Sequence, residues 1–105
     1  MPINSNFAQG ELTTSAADLF VATANNTTVN LIRITNIDGS AAADVTVSRV
    51  PSVGSARAIA STQTVPADAA LRIEGPIFLN NGDKLTGLAS AAGDLVFHIE
   101  YVVRT

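Results

Sequence analysis

Hydrophobic positions near the C-terminus recur every second residue. In Leu95-Val96-Phe97-His98-Ile99-Glu100-Tyr101-Val102-Val103-Arg104-Thr105, one side collects Leu95, Phe97, Ile99, Tyr101 and Val103. The other collects Val96, His98, Glu100, Val102 and Arg104. Successive side chains of a strand point to opposite faces, so a period of two predicts a strand. About ten residues at about 3.3 Å each give a strand of ~33 Å. A strand that long, and that apolar on one side, needs partners on both edges and a second layer beneath it. It is therefore expected at the centre of the domain.

A second strong run, Thr28-Val29-Asn30-Leu31-Ile32-Arg33-Ile34-Thr35-Asn36-Ile37, is rich in β-branched residues. Simple alternation puts Ile32 and Ile34 on one face and Val29, Leu31 and Ile37 on the other, which predicts burial on both sides for part of its length. Asp38-Gly39-Ser40 is a turn signal leading into a strand over 44–50, and the two strands are expected to pair as a hairpin. Weaker signals give strands over 11–15 and 18–22, an edge strand over 56–64, and a short strand over 70–74 that Gly75-Pro76 ends. Asn80-Asn81-Gly82-Asp83 is the sharpest turn signal, followed by a strand over 84–89 with Leu85 and Gly87 on one face. About eight short strands at intervals of roughly eight to twelve residues, without a helical period, predict an all-β fold: an antiparallel β-sandwich, jelly-roll-like.

Residues 1–10 are polar apart from Ile3 and Phe7. They are expected to form an extended N-terminal arm ahead of a single β-sandwich domain over 11–105. Ile3, Asn4 and Phe7 are then candidate assembly contacts on a neighbouring subunit, a frayed terminus being the plain alternative.

Composition sharpens this picture. The chain has 105 residues, the size of one domain. Apolar residues make up 47%, much of it alanine, while aromatics are 5% and charged residues 14%. The core is expected to be thin, built from Val, Ile, Leu and four Phe, under a largely neutral surface suited to contact with another protein. A net charge of −3 with six Lys and Arg argues against nucleic acid as the partner. The absence of cysteine rules out disulfides and thiolate metal sites. No secretory signal pattern opens the chain, and no apolar run approaches the ~20 residues of a membrane helix. The expectation is a protein made in the cytoplasm that does not enter a membrane.

Candidate chemistry is sparse. His98 is the single histidine, expected at a surface or interface. Asp38, Asp44, Asp68, Asp83 and Asp94 stand near turns without a dense metal-loop pattern, so they read as turn-forming aspartates. The abundant Ser and Thr lack a G-x-S-x-G motif. Asn25-Asn26-Thr27-Thr28 holds two overlapping glycosylation sequons, read as a polar loop. Lys84 is the only lysine, and Gly87 marks a bulge or a close backbone approach. No enzyme, cofactor or metal is expected.

The later half, with Val65-Pro66-Ala67-Asp68, Leu79-Asn80-Asn81-Gly82-Asp83-Lys84-Leu85 and a closing strand ending at Tyr101-Val102-Val103, resembles small β-sandwich virion proteins of tailed bacteriophages. The run over 28–37 belongs to the same resemblance. It implies a capsid decoration (cement) protein, a homotrimer or homodimer on the capsid surface with the major capsid protein as partner. It equally admits a tail or fibre component. A free carbohydrate-binding module is the reading from another class, marked by exposed aromatic side chains. The resemblance brings no catalytic residues.

Overall fold

The computed structural model describes residues 3–91 and 93–104, with the backbone alone for residues 3–6 and 104. Eight strands follow one another: β1 (Ile3–Glu11), β2 (Ala17–Val21), β3 (Thr27–Asn36), β4 (Ala43–Val50), β5 (Arg57–Val65), β6 (Ala70–Leu79), β7 (Lys84–Ala89) and β8 (Leu95–Arg104). They form two four-stranded antiparallel sheets, ordered β1-β8-β3-β6 and β2-β7-β4-β5. The first strand pairs with the last, the second with the next to last, and so on inwards to β4 and β5. One long antiparallel ribbon, folded back on itself and rolled into two layers, produces this order, which is the jelly roll. The expected all-β sandwich is the observed architecture, and β8 is a central strand.

The core lies between the sheets. Leu95, Phe97 and Ile99 of β8 meet Val29, Ile32 and Ile34 of β3, and these face Val45, Val47 and Leu85 of the other sheet, all buried. Side chains of this size each stabilise the fold by about 1.5–3 kcal/mol when fully buried. Phenylalanine contributes less than expected. Phe97 is buried and Phe20 half-buried against Tyr101, whereas Phe7 and Phe78 are exposed.

Several expected elements are corrected. β3 and β4 do not form a hairpin; they lie in different sheets. Asn36, buried at the end of β3, explains the crossing. Its Nδ2 donates to Ala41 O (2.9 Å) and Val65 O (3.0 Å), and its Oδ1 accepts from Asp38 N (2.9 Å). These bonds tie the crossing segment to the end of β5. The two faces of β3 are also regrouped. Its pairing slips between Val29 and Leu31, so Val29 shares the buried side with Ile32 and Ile34. A bulge inserts one residue and inverts the alternation beyond it.

β6 runs through Gly75-Pro76 rather than ending there. An edge strand tolerates a residue without an N–H, and a Cβ at Gly75 would strike Val29 O. The strand expected over 11–15 is instead β1, placed earlier. After Glu11 the chain changes sheets: Leu12 N donates to Leu95 O (2.9 Å) in one, and Thr13 O accepts from Ala89 N (2.8 Å) in the other.

Candidate functional site

Up-and-down strands gather the loops at two ends. One end carries the connections over 22–26, 51–56 and 80–83; the other carries those over 12–16, 37–42, 66–69 and 90–94. At the first end Asp83 is 4% exposed and clasps its own turn to the end of β4 and the loop after it. Its Oδ2 accepts from Asn80 N (3.0 Å) and from Arg49 Nη2 (2.9 Å), and its Oδ1 from Ser52 N (2.9 Å). Arg49 also donates to Phe78 O (3.2 Å). The backbone N–H groups of Asn80 and Ser52, with the Arg49 charge behind them, hold the Asp83 carboxyl below the usual carboxylate range. At the opposite end Ser40, through its backbone N–H and then its hydroxyl, lowers the Asp38 carboxyl in the same sense. Both act on loops. Among the described residues no group of three or more His, Asp or Glu is placed to hold a metal ion.

The two outer sheet faces differ. On β2-β7-β4-β5, the pairs Thr46–Leu88 and Ser48–Thr86 and the Thr64 hydroxyl beside Asp44 make a short-chained, largely neutral surface, with the Lys84–Asp18 pair (3.0 Å) at its rim. On β1-β8-β3-β6, registers place acidic Glu74 and Glu100 on either side of Leu31, and Arg72 and His98 on either side of Arg33. Phe7 and Phe78 stand at opposite edges of this face, 63% and 68% exposed.

His98 lies on this same face. Its ring stacks on Phe7 with centroids 5.2 Å apart, and its Nε2 is 3.8 Å from Glu100 Oε1. Gln9, Gly10, Glu11, Thr35, Val96, Phe97 and His98 line an open depression of about 530 Å³ beside it. The Phe97 ring forms part of its floor because Gly10 has no side chain; a Cβ there would lie 3.1 Å from Phe97 Cε1.

The segment expected as an arm is, from Ile3 onward, the edge strand β1. Its register with β8 runs unbroken from Ile3↔Arg104 to Glu11↔Val96. Ile3 and Asn4 sit at its start, and the side chains of both lie outside the described residues, as do Met1 and Pro2. Phe7 is at mid-strand on the outer face. The Asp83 clasp and the buried Asn36 were not legible as such, because each joins residues far apart in sequence. The only local sign was a polar residue beside a turn.

No family model matches the chain, and no curated protein does. Solved structures share its fold. A chain from Bacillus endospore appendages, described as a novel family of disulfide-linked pili, superposes with a TM-score of 0.61 at 14% identity, over 97% of this chain and 86% of that one. A chain from the acid-stable capsid of Helicobacter pylori bacteriophage KHP30 gives 0.60 at 12% identity, over 96% and 89%. A pentameric capsid protein from metagenomic phage sequences gives 0.54 at 12% identity, over 94% and 61%. At such identities the likeness is one of fold.

Proposed function

We propose that this chain is a structural virion protein of a tailed bacteriophage, a capsid decoration (cement) protein that acts as a homotrimer or homodimer and clamps neighbouring major capsid subunits. The observation that carries this reading is the likeness, over nearly the whole of both chains, to a chain of a bacteriophage capsid. The neutral outer face of β2-β7-β4-β5 supports it, since short uncharged side chains lose little on being covered by another protein. An interface of about 1,000 Å² yields a few kcal/mol of net binding, and a shell multiplies that over its copies. No catalytic step enters this role.

The likeness to a chain of pilus-forming endospore appendages supports a second reading, a tail or fibre component. The exposed Phe7 and Phe78 are the kind of side chain a carbohydrate-binding module would show. They stand three strand spacings apart across the sheet, at least about 14 Å, and are also offset along the strands, and Phe7 is already stacked on His98, so they do not form one platform.

Co-sedimentation with DNA-filled heads that lack the protein, against empty immature shells, tests the decoration role. Saturable binding at a fixed ratio to the major capsid protein is expected. Absence of binding to either shell overturns the decoration role, and binding to purified tails instead would establish the second reading.

A further inference from the structure

We propose that β1 is a self-pairing edge: two copies of this chain join β1 to β1 about a twofold axis at Phe7, fusing their outer sheets into one continuous sheet. This takes the oligomer of the proposed function one step further, to a dimer with a defined seam.

Each sheet has two edges, and three of the four are guarded. β6 carries Gly75-Pro76 with Arg72 and Glu74. β5 slips register twice against β4, with Thr62 in the left-handed region at φ 49°. β2 is five residues long, holds Asp18 and is bulged against β7. Proline, charge, bulges and shortness are the devices that keep edges from pairing. β1 has none of them along its length: nine residues in unbroken register, no proline, and a charge only at Glu11.

The backbone parity of β1 fits a second copy. Leu12 N donates to Leu95 O one step beyond the Glu11↔Val96 pair, so Leu12 and Leu95 form a hydrogen-bonded pair. In an antiparallel ladder such pairs alternate. Gly10, Ala8, Asn6 and Asn4 therefore turn their N–H and C=O groups toward β8, and Glu11, Gln9, Phe7, Ser5 and Ile3 turn theirs to the open edge. A twofold axis at Phe7, the midpoint of β1, sets Phe7 against its own equivalent and Ser5 against Gln9. Every open N–H then meets an open C=O. The exposed Phe7 ring gains its counterpart, extending the stack that already begins at His98. Glu11 falls opposite uncharged Ile3, about 27 Å along the seam from the other Glu11. No like charges meet.

The seam is small beside a standard interface of about 1,600 Å², so the dimer is weak and concentration-dependent. Sedimentation velocity of the free protein across roughly 1 µM to 1 mM is expected to show monomer passing to dimer. The chain has no cysteine, which permits a positional test. Phe7→Cys places its thiol opposite itself, at the ~5.5 Å Cα separation a disulfide accepts. Gln9→Cys places equivalent thiols about 14 Å apart, out of reach. Under mild oxidation Phe7→Cys is expected to cross-link at least tenfold faster than Gln9→Cys. Gln9→Pro removes an outward N–H that β8 does not use; it should abolish the dimer and leave the monomer's melting cooperative. A strictly monomeric or trimeric wild type overturns the seam, as does equal or absent cross-linking of the two cysteine variants. These measurements need no heads, so their failure is distinct from a failure to bind shells.

Discussion

Asp83 joins its own turn to residues 49–52 through one carboxylate, so its charge matters beyond that turn. Its folded-state value is depressed, so the stability it confers is complete above the usual carboxylate range and is lost as the pH falls through the lowered value. Asp83→Asn is expected to cost about 1.5–3 kcal/mol at pH 7, measured by urea denaturation, with the gap from wild type narrowing under acid. A gap independent of pH would show that shape, not charge, holds the clasp. Two glycines act by absence. A Cβ at Gly87 would lie 2.7 Å from Leu19 Cδ1 and 3.1 Å from Leu12 Cδ2, both in the core. Gly87→Ala is thus expected to cost about 1–3 kcal/mol by overpacking. Gly75→Ala meets the rigid backbone carbonyl of Val29 instead of flexible side-chain ends, and thermal melts should show the larger loss. A glycine inside an alternating strand was a legible signal at Gly87, but what crowds it is the Leu19 and Leu12 side chains, not a bulge or another backbone. The exposure of Phe78 was not, because an aromatic residue in an apolar run looks the same whether its face is covered or bare.

Strands with a clean period of two were legible: β8 as a central strand and β7 with its faces assigned; β5, though its alternation is weak, was also placed as an edge. Others were not, for physical reasons. β1 is written in Asn, Ser and Gln, and owes its strand form to the β8 ladder rather than to its own pattern. β3 changes phase at its bulge, which composition does not announce. The turn signals were real, yet Asp38-Gly39-Ser40 and Asn80-Asn81-Gly82-Asp83 each join strands of different sheets. Local turn chemistry bends the chain without choosing which sheet the next strand enters. At this scale the role of β1 can be measured. Deleting residues 1–9 strips one side of β8 of its ladder and removes Ala8, which packs against the core. The truncated chain is expected to unfold at clearly lower denaturant. Unchanged stability would mean that β1 adds nothing to the fold and serves only outside contacts.

Across the whole molecule, charge is distributed unevenly. Glu11, Asp38, Asp44, Asp68 and Asp94 gather toward one loop end, whereas at the other Arg49 and Lys84 are paired with Asp83 and Asp18 and Arg57 adds a positive charge. A field along the strand direction orients the protein as it nears a charged partner, an effect that salt weakens. The pairing of first strand with last, second with next to last, also sets an order in time. β4 and β5 are separated by a short connection, and each pair outward closes a longer stretch of chain, up to β1 and β8 at its two extremes. Contacts between distant segments form slowly, because the loop they close costs entropy before the contact returns it. Pulse-labelling hydrogen exchange is expected to protect the amides of β4 and β5 first and those of β1 last; early protection of β1 would refute inward-to-outward zipping. During synthesis the consequence is sharper still. The ribosome delivers β1 before the seven strands that follow it here, so β1 must wait, unpaired, until β8 has emerged.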